Sequence, residues 1–152
     1  MPPPRRATRR LVRPAQARPK RRVRLDNDAR RAQLLALARK AFSDRSYDDV
    51  SIDDLAREAK ISKGLLYHYF PTKRDLYVAG LGEIADALVQ RVKSVPDDLP
   101  PIERVRASLD AYLDHVSQHS HAFVSLMRGG IGSDPEVAQV VEGVRAQLFE
   151  RG

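Results

Sequence analysis

Two serines close together in the chain, Ser51 and Ser62, most constrain what this sequence can fold into. Each stands directly before a short segment with helical apolar spacing, the position where a serine side chain caps a helix N-terminus. Asp54, three residues after Ser51, adds the pattern of a capping box. We therefore expect one short helix from Ser51 to about Lys60 and a second that begins after Ser62, with only a tight turn between them.

The apolar spacing of the segment before this pair predicts a supporting helix. The pattern of the whole chain from Asp26 onward predicts an all-α fold. Over about 28–44, one stripe collects the apolar side chains and the basic residues take other faces. No segment alternates with the period of a β-strand, and no internal repeat is present. The stripe consists of Leu34, Leu37, Ala38, Ala41 and Phe42. Two short helices joined by a tight turn and backed by a third form a helix-turn-helix, which we place at about 51–70.

The second short helix, within the stretch ISKGLLYHYF, carries the residues that such a motif presents to DNA. Leu66 and Phe70 lie four residues apart and can dock the helix on the other two, leaving its N-terminal end for the major groove. A glycine there lets the backbone approach DNA closely, a lysine can donate to guanine or phosphate, and a leucine can touch a thymine methyl group. Tyrosine hydroxyls and histidine nitrogens can reach phosphate oxygens. The candidates are Lys63, Gly64, Leu65, Tyr67, His68 and Tyr69, with Ser62 as the cap.

The run SYDDVSIDDLAREAKISKGLLYHYFPTKRDLY resembles the DNA-binding domain of TetR-family transcriptional regulators, over about 28–88. The match is carried by Phe42, Tyr47, Val50, Ser51, Ile52, Leu55, Ala56, Ala59, Ile61, Ser62, Lys63, Gly64, Leu66, Tyr67, Phe70, Lys73 and Leu76. The resemblance implies that Ser51 contacts phosphate and that Lys73 binds the DNA backbone. It also implies that Lys63, Gly64, Tyr67, His68 and Tyr69 face DNA.

The same resemblance implies a function and a set of partners. It implies a cytoplasmic, sequence-specific transcriptional regulator, and we expect a repressor of a palindromic operator that a small-molecule effector relieves. A fourth helix, capped by Thr72 and reaching about Ser94, would join the DNA-binding domain to a helical effector domain. Family members continue into two further helices that build a homodimer interface. We therefore expect residues 95–152 to form a partial, truncated effector and dimerisation domain, and homodimer formation is an open question here.

The N-terminal arm, residues 1–25, supports an alternative function. It holds ten of the 27 Lys and Arg residues, no acidic residue and five prolines, whereas the other 17 basic residues face 20 acidic ones. Such a composition predicts a disordered, basic arm that binds phosphates without sequence preference. A nonspecific nucleic-acid-binding protein is therefore the first alternative.

Downstream of the linker 95–101, helices are expected at about 102–118, 122–127 and 135–152. Aromatic, histidine and methionine side chains there are candidates for an effector pocket: Tyr112, His115, His119, Phe123 and Met127. His115 and His119 lie four residues apart, as in some divalent-metal sites, so a metal-sensing regulator is the second alternative. No Cys and no suitably placed carboxylate completes that set, and we predict no metal site.

Other classes of protein find little support in the residues. The sequence shows no nucleophile and base pattern, no cofactor fingerprint and no P-loop lysine in the glycine-containing run RGGIGSDPE, so we predict neither an enzyme nor a cofactor. With no cysteine, no secretory signal and no long apolar run, we also expect a reducing compartment and no membrane partner.

Overall fold

The computed structural model describes residues 27–127 and 130–150, with side chains for 27–126 and 131–150. The basic arm predicted for 1–25 lies outside the described residues, as does the side chain of Met127. The described segments form seven α-helices and one short 3-10 helix, so the all-α prediction is confirmed. The helices are α1 (Asn27–Asp44), α2 (Ile52–Glu58), α3 (Lys63–Tyr69), α4 (Lys73–Lys93), α5 (Pro101–Gln118), α6 (Ser120–Met127) and α7 (Pro135–Phe149), and the 3-10 helix is Gly130–Ser133.

A single apolar core holds α1, α2, α3 and the first half of α4 together. Leu66 of α3 is 1% exposed and packs with the same cluster as Phe42 of α1 and Leu55 of α2. Helices α1 and α4 approach closely where Gly80 lies against Ala38, since a Cβ atom at Gly80 would lie only 3.2 Å from the Cβ of Ala38. The core therefore fixes the position of α3 against its two neighbours.

The turn between α2 and α3 is a Schellman motif built on a left-handed lysine. Lys60 has φ 57°, and its N–H donates to the carbonyl of Arg57. The N–H of Ile61 donates to the carbonyl of Ala56 at 3.0 Å. These two hydrogen bonds satisfy carbonyls at the end of α2 and direct the chain into the cap of α3 within four residues.

Helix α4 starts in the N-terminal core and ends among the C-terminal helices. The Thr72 hydroxyl accepts from the N–H of Asp75, and the Asp75 carboxylate accepts from the N–H of Thr72, a complete capping box. Leu76 and Tyr77 are buried in the N-terminal core, whereas Leu88 is buried further along the helix. One continuous helix thus belongs to both halves of the molecule.

The start of α7 joins the C-terminal half to the N-terminal core. Val137, in the first turn of α7, is fully buried and belongs to the same apolar cluster as Phe42 and Leu66. In contrast, the apolar stripe of α5 faces solvent, with Ile102 80% and Val105 64% exposed. No helix in the described segments is long and apolar enough to cross a membrane.

Candidate functional site

One face of α3 is free of protein contacts that would bury it. Lys63, Gly64, Leu65 and His68 are exposed, while Leu66 on the opposite side anchors the helix. Because helical residues four apart share a face, Gly64 and His68 lie one above the other, next to Leu65. The structure therefore brings four of the predicted DNA-facing residues onto one accessible surface.

Both predicted caps are present at the starts of α2 and α3. The Ser51 hydroxyl accepts from the N–H of Asp54 at 3.3 Å, and the Ser62 hydroxyl accepts from the N–H of Leu65 at 3.1 Å. Ser62 is exposed and Ser51 is half-buried. A hydroxyl that caps a helix accepts one hydrogen bond and still has a hydrogen to donate, which a phosphate oxygen could accept.

Gly64 is not required by the packing of the protein itself. A Cβ atom placed there would have the Ser62 Oγ, at 3.9 Å, as its nearest neighbour, which is ordinary contact. The neighbouring Leu65 is 38% exposed, so its side chain is accessible to an external partner. The glycine costs about 1 kcal/mol of helix stability relative to alanine and gains no internal contact, which favours a close external partner.

The three aromatic candidates differ in their surroundings. Tyr67 is half-buried against the core, and His68 is exposed. Tyr69 is also half-buried, and its hydroxyl donates to the Asn27 Oδ1 at the start of α1 at 3.1 Å. The rings of His68 and Tyr69 meet edge to face, with centroids 5.5 Å apart. Tyr69 therefore ties α3 to α1, a role that the sequence did not indicate.

Lys63, the candidate base contact, is paired within the protein. Its Nζ lies 3.2 Å from the Asp53 Oδ1 on α2, and both side chains are more than half exposed. Such surface pairs contribute about 1 kcal/mol or less, so an external anion or base acceptor can replace the carboxylate at low cost.

Lys73, the candidate backbone contact, is held over an aromatic ring. Its Nζ lies 4.6 Å from the centroid of the Tyr47 ring and donates to the carbonyl of Asp48 at 3.4 Å. Tyr47 in turn packs against Phe42 and Tyr77, with ring centroids 6.2 and 5.0 Å away. Burial raises the pKa of the Tyr47 hydroxyl, with a smaller contribution from the nearby Asp48 carboxylate. The lysine is thus positioned by the aromatic core of the N-terminal half.

A second candidate site is a cavity of about 560 Å³ between α4, α5, α6 and α7. Tyr112 and Phe123, two of the predicted pocket residues, line it, whereas His115 and His119 do not. Apart from Glu142 and Arg145 on α7, the lining side chains are apolar or aromatic. The lining is formed by Leu81, Ile84, Ala85, Leu88, Tyr112, Phe123, Leu126, Gly132, Ala138, Val140, Val141, Glu142, Val144, Arg145 and Leu148.

The two histidines instead connect α5 to α4 and α1. The buried His115 Nε2 donates to the carbonyl of Ile84 at 2.8 Å. The Nδ1 of His119 hydrogen-bonds to the hydroxyl of Ser43, which donates its own hydrogen to the carbonyl of Arg39 at 2.7 Å, so His119 is the donor of that bond.

Burial lowers the pKa of both histidines, and the neighbouring His119 and Arg39, respectively, lower them further. Their ring centroids are 4.4 Å apart. Among the described residues, no group of three or more His, Cys, Asp or Glu side chains is placed to hold a metal ion.

Several structural contacts were missed by reasoning from the sequence. Neither the pairing of Asp53 with Lys63 nor the position of Tyr47 beneath Lys73 follows from helical spacing, because each pair joins separate elements. A further pair, between Arg74 at the start of α4 and Asp134 before α7, joins residues that are 60 positions apart. Asp134 is also the N-cap of α7.

Two family models match this chain on either side of the linker. The model described as bacterial regulatory proteins, tetR family, matches residues 34–79. The model described as tetracyclin repressor-like, C-terminal domain, matches residues 101–151. The first match contains α2, α3 and the start of α4, so it coincides with the exposed surface described above.

Curated proteins and solved structures lead to the same family. The chain is 34% identical over 123 residues to the HTH-type transcriptional activator FasR of Mycolicibacterium smegmatis, a match that covers 78% of this chain and 55% of FasR. It also resembles the crystal structure of a TetR-family transcriptional regulator from Streptomyces coelicolor, with a TM-score of 0.76, 38% identity, and coverage of 82% of this chain and 56% of that one. A TetR-like transcriptional regulator from Rhodococcus sp. RHA1 matches with a TM-score of 0.63 and 30% identity, covering 84% of this chain and 69% of that one.

The chain spans about half the length of the curated relatives that it matches, since the first three are covered over 55%, 44% and 41%. The family models on both sides of the linker, the relatives and the structural neighbours all agree. This chain belongs to the TetR family of bacterial regulatory proteins.

Proposed function

We propose that this protein is a sequence-specific, DNA-binding transcriptional regulator in the cytoplasm. The observation that carries the proposal is the accessible face of α3, where Lys63, Gly64, Leu65 and His68 are exposed on a helix locked to the core by Leu66. A helix presented in this way by a helix-turn-helix enters the major groove with its N-terminal residues against the bases.

The residues divide into reading and positioning contacts. Lys63 donates to a guanine or a phosphate after leaving Asp53, and Leu65 contacts a thymine methyl group. Gly64 allows the backbone of α3 to approach the DNA. Positioning contacts to phosphate come from Ser51, Ser62, Tyr67, His68 and Lys73, and from Tyr69 once its hydroxyl leaves the Asn27 Oδ1.

The cavity between α4 and α7 is the proposed site of a small-molecule effector. Its volume of about 560 Å³ suits a drug-sized ligand, and its mainly apolar lining favours an apolar one. We further propose that the protein acts as a homodimer on a palindromic operator and represses until the effector binds. The relative FasR is named a transcriptional activator, so the sign of regulation is a separate question for the test.

Selection of bound duplexes from a random DNA library, by the purified 152-residue chain at near-physiological salt, tests the function. Enrichment of one palindromic motif is the expected result. In the Lys63→Ala variant, preference at one base position should fall by about 1 to 3 kcal/mol, because a base donor is lost. Lys40→Ala removes the same charge from an exposed position on α1 and should leave the motif unchanged.

The second candidate function, nonspecific nucleic-acid binding by the basic arm, is favoured by the ten basic residues in 1–25. It predicts no enriched motif and a steep loss of affinity with salt that disappears when residues 1–25 are deleted. A palindromic motif that survives this deletion would exclude the arm as the origin of DNA recognition.

A further inference from the structure

The start of α7 is bound to the start of α4 by a two-pronged ion pair. Asp134, the N-cap of α7, accepts from the Nη2 of Arg74 at 2.7 Å and also from the Nε of Arg74. Glu136 adds a contact of 3.3 Å to the same guanidinium. The Asp134 side chain is only 14% exposed, and a forked arginine–carboxylate pair fixes both the distance and the orientation of its partners.

Arg74 lies beside the proposed DNA-backbone contact. It follows Lys73 directly in the first turn of α4, where the capping box between Thr72 and Asp75 keeps that turn rigid. Lys73 is in turn held over the Tyr47 ring by the contact described above. The Arg74 side chain is therefore attached to the same rigid turn that carries Lys73.

Helix α7 also forms one wall of the cavity. Ala138, Val140, Val141, Val144 and Leu148 of α7 all line it, and Val137 of the same helix is buried in the N-terminal core. This helix is therefore in contact with both the cavity and the DNA-binding half. On the DNA-binding side, the Arg74 guanidinium adds a polar contact to the apolar contacts of Val137.

We propose that Arg74 is a positioning residue that transmits the state of the cavity from α7 to Lys73. The proposal rests on the function proposed above and adds the route of its regulation. Coupling of this kind requires an element that both sites bias, and the proposal assigns that part to the α7 helix anchored on Arg74.

The molecule also supplies a matched control. Arg91, near the end of α4, lies 3.6 Å from Asp114 of α5 and has the same exposure as Arg74, 38% against 36%. This contact also joins α4 to the C-terminal half, but far from Lys73 along the helix and without a fork to a helix cap. Loss of Arg91 removes the same charge and should leave the coupling intact.

The first experiment fills the cavity by substitution, so that no effector has to be known. Val144→Trp places an indole in the cavity, and the affinity for the selected duplex is compared with and without it in parent, Arg74→Gln and Arg91→Gln chains. We expect filling to weaken DNA binding by about 5- to 150-fold in the parent and in Arg91→Gln, and by less than about twofold in Arg74→Gln. An equal factor in all three chains, or no effect in the parent, overturns the proposal.

Asp134→Asn separates coupling from a direct contact of Arg74 with DNA. If Arg74 acts by touching phosphate, removal of the Asp134 charge should strengthen DNA binding and leave the effect of Val144→Trp in place. If it acts through α7, Asp134→Asn should abolish that effect as Arg74→Gln does. Arg74→Lys keeps the charge without the fork and should preserve only part of the coupling; it also replaces Arg74→Gln if that variant does not fold.

A second measurement does not depend on DNA and therefore distinguishes failure of this proposal from failure of the proposed function. The chain contains no cysteine, so Glu58→Cys on α2 and Gln139→Cys on α7, both exposed, accept a pair of spin labels without competition. The distance distribution between the labels should broaden in Arg74→Gln and stay unchanged in Arg91→Gln. An unchanged distribution in Arg74→Gln overturns the proposal even if the parent chain selects an operator. If the distribution broadens but the DNA selection enriches no motif, only the proposed function is overturned.

Discussion

The two halves of this molecule bury their apolar residues to different extents. In α1 to α4, the apolar stripes that the sequence shows are buried, and even the short α3 has Leu66 almost completely covered. Beyond α4, only Ala122 and Val137 among the buried apolar residues of the described segments reach the same state, while Leu109 and Leu113 on α5 are 54% and 50% exposed. The N-terminal half therefore carries the stability, and the C-terminal half depends on a few points of attachment to it.

The same substitution made in both halves tests whether the N-terminal half carries more of the stability. Leu66→Ala should lower the free energy of unfolding by about 3 kcal/mol, since it removes a fully buried side chain and leaves a cavity. Leu109→Ala, at an exposed position of α5, should change it by no more than about 0.5 kcal/mol. Urea denaturation followed by circular dichroism measures both, and a large loss in Leu109→Ala would show that the α5 stripe is covered in solution.

The attachment of the C-terminal half should also make stability depend on pH. The pKa values of His115 and His119 are lowered in the folded protein, mainly by burial, so the folded state favours the neutral rings. The unfolded chain binds more protons once the pH falls below about 6.5, so protonation of these rings then favours unfolding. Their contribution is complete above that pH and is lost as the pH falls through the lowered folded pKa values.

Thermal unfolding between pH 5 and 8 tests this prediction, with that range chosen to bracket the histidine pKa. Replacing both His115 and His119 by Gln should flatten the profile. His121→Gln, at an exposed position of α6, should not alter it. A parent profile that is already flat would mean that the two rings are accessible to solvent and that the halves are not joined through them.

The sequence predicts features that depend on neighbouring residues better than it predicts contacts between separate helices. Helix caps and apolar spacing are local signals, so Ser51, Ser62 and Thr72 and the anchoring role of Leu66 were predictable. Contacts between separate helices have no local signal, which is why the pairs of Arg74 with Asp134 and Lys63 with Asp53 were not. The predicted pocket residues show both cases, because helical spacing alone could not separate Tyr112, which lines the cavity, from His115, which does not.

The core of the N-terminal half contains a buried tyrosine hydroxyl whose removal should stabilise the protein. Tyr77 is 1% exposed, and in the described part of the chain its hydroxyl has no hydrogen-bond partner. Burial raises its pKa to about 12. Tyr77→Phe should raise the free energy of unfolding by about 1 kcal/mol, because an unsatisfied buried hydroxyl is removed while the ring contacts remain.

Tyr112→Phe is the control for this substitution, since Tyr112 lies at the exposed margin of the cavity and should show no gain. Urea denaturation of both variants provides the comparison. A loss of stability in Tyr77→Phe would indicate that the hydroxyl is hydrogen-bonded in solution. The hydrogen bonding of the N-terminal core would then be more complete than the structure indicates.

The smallest expected effect concerns the turn that sets α3 against α2. Lys60 adopts a left-handed conformation with φ 57°, in the position after the helix cap where glycine is preferred because it has no Cβ atom. Lys60→Gly should raise the free energy of unfolding by about 0.5 to 1 kcal/mol. It removes the steric cost of the left-handed conformation, and part of that gain is offset because glycine has a greater conformational entropy in the unfolded chain. Lys60→Ala removes the same charge but keeps the Cβ atom, so it should give no gain.

If both variants gain equally, the benefit comes from charge and not from the backbone. A gain in Lys60→Gly alone, measured by urea denaturation, would show that the protein accepts strain in this turn to bring Ser62 and the exposed face of α3 into place.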